Sequence, residues 1–291
     1  MTIQAVVPIA TYPETIRPQH FDAVATFAQR LGCDLHALVL LAKFPKVANA
    51  LSSLLLDVPD MIRTAEARSR KSGEELLDAM EAAAKSAGIS LTNGKAFAAP
   101  DLAGDIAAEH ARYFDLAMIG VSPESDASRI MAEAVVFGSG RPTILVPEIL
   151  PAADLAHAVI AWDGSRVAAR AVADAALVLG TMRKVTVLCV LNEKPLPDDD
   201  IGDRLAAALT RRGIVAEARS IELEDRPIGQ SLQAYALDNG AGLLVMGAYG
   251  HSRLRDFVLG GATRAIIDDL RLPVLMSHLS LIHISEPTRP Y

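Results

Sequence analysis

The chain has only two cysteines, Cys33 and Cys189, far apart and in no metal-type spacing. That argues against a disulfide scaffold and against a structural zinc site. Aromatic residues make up 4% of the sequence, which leaves few stacking platforms for single-stranded nucleic acid. Positive charge is also short, with 28 Lys and Arg against 35 Asp and Glu, a formal charge of −7. Binding phosphate backbones needs clustered positive charge, so no nucleic-acid partner is expected. No apolar stretch approaches the roughly 20 residues that span a bilayer; Leu38–Ala42 is far too short. The start, MTIQAVVPIATYPETIRP, lacks the basic region and long apolar core of a secretory signal. The expectation is a cytoplasmic protein with no membrane partner.

Several catalytic signatures are missing too. There is no Gly-x4-Gly-Lys-Ser/Thr loop, no Gly-x-Gly-x2-Gly after the first strand, no HExxH and no Gly-x-Ser-x-Gly. Walker-type NTPases, dinucleotide dehydrogenases, zincins and serine hydrolases are therefore disfavoured.

What is present is a 291-residue chain, 51% hydrophobic, with apolar material for well-filled cores. Its length favours two domains. Short apolar runs alternate with helix-like stretches twice over, the pattern of parallel α/β sheets. The first five runs are Ala5–Ile9, Leu35–Leu41, a weaker one near Lys95–Ala98, Leu116–Gly120 and Thr143–Val146. The second five are Ala158–Trp162, Val185–Leu191, Ala216–Leu223, Leu243–Gly247 and Val274–Ser277. Helical stretches include Gln19–Leu31, Glu74–Ala87, Val167–Leu179 and Gly229–Asn239. Glycines 32, 88, 180, 213 and 240 follow helices, as left-handed caps prefer.

The halves resemble each other. Gln4-Ala-Val-Val lies over His157-Ala-Val-Ile at an offset of 153 (157 − 4), whereas Gly120 and Gly247 differ by 127 (247 − 120). The first half thus carries about 26 extra residues, placed around 44–71, and duplication is the simplest account. The expected division is 1–148 and 155–278, joined through Glu148–Asp154 between Pro147 and Pro151. The tail Leu279–Tyr291 continues no element and resembles translated sequencing-adaptor sequence, a natural disordered extension being the alternative.

The segment that carries chemistry runs Leu243-LVM-Gly247-AY-Gly250-HSRLRDFVL-Gly260-Gly261-Ala262-Thr263. Glycines at a strand's carboxyl end let the backbone approach a ligand closely. The amides of Gly261, Ala262 and Thr263 would point out of a new helix and meet an anion. Arg253, Arg255 and Arg264 are nearby in sequence, the first two more naturally solvated loop charges. The segment suits a phosphate chain.

Gly-x2-Gly-x9-Gly after a fourth strand resembles the nucleotide motif of the universal stress protein family, and the paired halves resemble its tandem members. The resemblance implies an adenine-nucleotide alpha hydrolase-like fold. It consists of two doubly wound parallel five-stranded sheets, strand order 3-2-1-4-5, associating through their fifth strands as a pseudo-dimer. It implies ATP as ligand in the second half. Asp163, in Ala161-Trp162-Asp163-Gly164-Ser165, would hold the ribose. The backbone near Val190 would pair with adenine, and Met246, Gly247, Gly250, His251 and Gly260 would line the crevice. The family places Ser or Thr after the last glycine; this chain has Gly261, with Thr263 two positions on. Read singly, Asp163 or Ser165 is an ordinary helix cap, Val190 and Met246 are core, and His251 is a loop histidine.

The first half lacks the motif. Ala10 stands opposite Asp163, Gly120 is followed by Val121-Ser122-Pro123, and four residues of phosphate loop are missing. It is expected not to bind ATP through that motif. No residue is poised as general base, so no enzyme is expected. Any hydrolysis would be slow, with Mg²⁺ or Mn²⁺ bridging the phosphates. The expected role is nucleotide-dependent regulation in stress response through a protein partner, with other surfaces left for a homodimer. The rival readings are a nucleotide-free interaction protein with both sites degenerate, and adenylyl transfer on a related fold.

Overall fold

The computed structural model describes residues 2–45, 58–193, 195–223, 225–248 and 261–279. In the first half the strands are β1 (Ile3–Ala10), β2 (Cys33–Ala42), β3 (Leu91–Ala98), β4 (Leu116–Val121) and β5 (Thr143–Pro147). The second half has β6 (Asp154–Ala161), β7 (Lys184–Leu191), β8 (Ala216–Glu222), β9 (Ala241–Gly247) and β10 (Val274–Ser277). The helices are α1 (Gln19–Leu31), α2 (Val58–Ala87), α3 (Ala103–Ala111), α4 (Asp126–Gly138), α5 (Arg166–Leu179), α6 (Ile201–Thr210), α7 (Ile228–Asp238) and α8 (Gly261–Asp268).

Each half keeps the expected order, but the two five-stranded sheets are one. The order is β3-β2-β1-β4-β5-β10-β9-β6-β7-β8. All pairings are parallel except the central one, where β10 runs antiparallel to β5 with Leu275 opposite Ile144. The expected association through the fifth strands is present, and it joins the two sheets edge to edge. An unpaired fifth-strand edge would leave a row of N–H and C=O groups without partners, and joining the two edges satisfies both.

Parallel strands buried on both faces read as continuous apolar runs, which is why the central strands stand out in the sequence. Ala5, Val7 and Ile9 face the layer that includes α1, α2, α5 and α6, while Val6 faces α3, α4, α7 and α8. The weak third run is longer than expected. It is the edge strand β3, largely exposed from Leu91 to Lys95, so it needed no apolar face there. Of the five helix-following glycines, four have positive φ, whereas Gly180 is right-handed at φ −64° and does not form the expected left-handed cap.

The halves differ most after their second strands. Residues 46–57 of the expected insertion lie outside the described residues, and 58–71 open α2, 30 residues long against 10 for α6. Ser69, fully buried on α2, accepts from the Ala42 amide at 2.8 Å and meets the Thr11 hydroxyl at 2.6 Å. Thr11 Oγ1 in turn donates to the Leu40 carbonyl at 2.7 Å. The extra helix thereby covers the carboxyl ends of β1 and β2.

Candidate functional site

In an open α/β sheet, the strands that lead the chain in opposite directions leave a crevice beyond their carboxyl ends. Here β6 is that switch point, flanked by β7 and β9. Its pairing with β9 extends only to Ile160 opposite Val245, and with β7 to Ala161 opposite Leu188. Past those pairs a cleft of about 220 Å³ opens.

The cleft gathers most of the residues singled out in the sequence: Ala161, Trp162, Asp163, Val190, Met246, Gly247, Gly261, Ala262 and Thr263 all line it. Gly250, His251 and Gly260, with Arg253 and Arg255, lie outside the described residues. Arg264 is exposed and pairs with Asp268 at 3.4 Å, one helical turn on.

Local chemistry fixes the first wall. The Trp162 amide donates to the Leu188 carbonyl at 2.9 Å, and its indole N–H donates to the Ile201 carbonyl at 3.1 Å. Asp163 Oδ1 accepts from the Ser165 amide at 2.9 Å, an Asx turn across Gly164 (φ +76°). Ser165 Oγ then caps α5 by accepting from the Ala168 amide at 3.2 Å. Ser165 is therefore the cap, and Asp163 shapes the turn while standing half-buried at the cleft.

Val190 is buried, yet its backbone is not absorbed into the sheet on both sides. Leu188 turns its carbonyl toward β6, and Val185 turns its amide toward the β8 side. Residues two apart share a side, so the N–H and C=O of Val190 point toward β6 beyond its end. One donor and one acceptor thus face the cleft together.

The far wall is the start of α8. Its first N–H groups have no intrahelical acceptor, and a β-carbon on Gly261 would meet nothing within 4 Å among the described residues. Thr263 lines the cleft but is only 2% exposed. Gly247 has a packing reason of its own: a β-carbon there would stand 2.7 Å from the Val167 carbonyl carbon. Behind the cleft, burial pushes the Cys189 thiol pKa up, and the nearby Asp163 and Asp203 carboxylates push the same way.

Residues that sequence reasoning missed also line the site, among them Glu193, Leu196, Ile228 and Leu232. Glu193 and Leu196 belong to the segment after β7, whose position nothing local predicts. Ile228 and Leu232 are one turn apart on α7, and their spacing reads equally well as core.

Residues 156–278 match the family model described as the universal stress protein family. The C-terminal half is a universal stress protein domain. No curated protein matches the chain. Among solved structures, a universal stress protein from Archaeoglobus fulgidus DSM 4304 is similar over 95% of this chain and 96% of its own, with 16% identity and TM-score 0.69. That likeness extends the universal stress protein fold to both halves. A universal stress protein family member from Burkholderia pseudomallei matches 43% of this chain and 98% of its own, at 26% identity and TM-score 0.32. A universal stress protein in complex with cAMP matches 50% and 98%, at 17% identity and TM-score 0.34.

Proposed function

We propose that the chain is a tandem universal stress protein, divided at 1–148 and 155–278, that binds an adenine nucleotide, ATP, in its C-terminal cleft. The observation that carries this reading is the convergence of three groups on one cleft: the Asp163 carboxylate, the backbone edge of Val190, unpaired among the described residues, and the α8 N-terminus beyond Gly247. These suit a ribose hydroxyl, the edge of a purine and a phosphate chain respectively. Asp163 and Glu193 are both acidic, so a divalent ion such as Mg²⁺ or Mn²⁺ carried on the phosphates would offset their charge. Binding would change the surface offered to a protein partner and so serve regulation without turnover. A cytoplasmic location goes with this reading, since both cysteines are free thiols.

A second reading, a nucleotide-free interaction protein, draws support from Gly247 and Ser165, whose packing and capping duties explain them without a ligand. Equilibrium dialysis of the full chain with labelled ATP and labelled AMP separates the two. Saturable ATP binding that Asp163→Ala weakens about tenfold, some 1.4 kcal/mol, supports the first. No binding of either nucleotide at millimolar concentration supports the second.

A further inference from the structure

The N-terminal half has its own cavity, of about 340 Å³, at the same end of the sheet but with different chemistry. It lies between the loop Pro13–Arg17, the first turn of α1, the entry to α4 and one residue of α2, Arg68. We propose that this cavity is a second binding site, for a phosphate-sized oxyanion held by His20, Arg68 and the first turn of α4.

His20 lines the cavity, is 0% exposed, and neither of its ring nitrogens meets a hydrogen-bond partner among the described residues. Burying two such nitrogens without partners is costly, and an apolar side chain would fill the same space without that cost. The other half makes the contrast plain. A β-carbon on Gly247 would strike the Val167 backbone, whereas a β-carbon on Gly120, its counterpart, would stand 2.7 Å from Ile16 Cδ1 and 3.0 Å from His20 Cβ and Cδ2. Over the fourth strand one half thus sets helix backbone, and the other sets the side chains of Ile16 and His20.

Charge points the same way. Helix α4 is 13 residues long, and Ser125 Oγ caps it by accepting from the Ser128 amide at 3.2 Å. The Asp126 and Ala127 amides of the first turn have no intrahelical acceptor, and the helix dipole favours an anion there. Both lining carboxylates are engaged: Glu124 pairs with Arg17 at 2.5 Å, and Glu14 accepts from Ser125 Oγ at 3.2 Å. Arg68 lines the cavity on an exposed face of α2 and makes no ion pair among the described residues. A planar guanidinium, a helix start and a buried imidazole N–H form a set that matches phosphate oxygens. The volume exceeds what one phosphate fills, so a phosphomonoester also fits.

The test is NMR of the full chain with nitrogen-15 in its histidines, following the His20 ring signals. Inorganic phosphate, glycerol 3-phosphate and, at matched ionic strength, chloride are titrated separately. The expected result is a saturable shift below ~20 mM with phosphate or the ester but not chloride, weakened about tenfold in Arg68→Gln. Tighter binding of the ester assigns a phosphorylated small molecule, and equal binding assigns the free anion. The proposal is overturned if neither ligand saturates, if chloride reproduces the shift, or if Arg68→Gln binds as the parent does. Because Arg68 is exposed, that variant is expected to fold, and an unchanged circular dichroism spectrum verifies it. The outcome is independent of ATP binding at Asp163.

Discussion

Gly247 lies so close beneath Val167 that a β-carbon would stand 2.7 Å from the Val167 carbonyl carbon and 2.9 Å from its oxygen. The neighbours are backbone atoms of the first turn of α5, which cannot swing aside as a side chain could. Gly247→Ala is therefore expected to lower stability by about 1–3 kcal/mol, the usual cost of overpacking. Urea denaturation would show it, and a change under 0.5 kcal/mol would mean that α5 can lift from the strand.

Ser69 ties the extra helix to the strands it covers. Ser69→Ala leaves the Ala42 amide and the Thr11 hydroxyl without this partner in a buried setting, at a cost of about 1–3 kcal/mol. Nucleotide affinity should not change, because the contact belongs to the other half. Thermal unfolding alongside dialysis measures both quantities on one variant.

The chain's only tryptophan, Trp162, stands in the wall of the C-terminal cleft. Its emission should change saturably as ATP is added. The half-saturation concentration should rise about tenfold in Asp163→Ala, or some 1.4 kcal/mol. A titration in which emission follows only inner-filter absorption, with no saturation, goes against a nucleotide in this cleft.

Burial pushes the Cys33 thiol from its ordinary 9.0 up to about 12, with Asp34 and then Asp115 adding to the effect. The folded chain holds this proton where the unfolded chain releases it, so the contribution is complete below pH 9 and disappears as pH rises toward 12. Stability should fall by at most about 1.4 kcal/mol per pH unit in that window from this group. Urea midpoints at several alkaline pH values, compared with Cys33→Ala, would isolate the slope.

The strands follow from composition and period, because buried parallel strands must be apolar throughout, whereas their order comes only from the resemblance to a family. Asp163, Val190, Met246 and Gly261 could be placed on one crevice because of the resemblance, and each stands at or just past the carboxyl end of a strand or opens a helix. Long-range polar contacts left no such trace. Gln233 is fully buried on α7, donating to the Asp269 carbonyl and accepting from the Arg271 amide, both at 2.8 Å. Nothing local to Gln233 announces that clamp on the turn into β10. His20 was hidden likewise, since a histidine among apolar residues of α1 reads as one more helix position. The union of the two sheets depends on how strand edges meet, which periodicity within either half cannot express.

The antiparallel seam between β5 and β10 has a further consequence. Because the linker tethers the two edges, their encounter is set by local effective concentration and not by how much protein a cell makes. Dilution that would dissociate a pair of separate subunits leaves this arrangement intact. Each half is thus guaranteed its neighbour at any concentration of the chain.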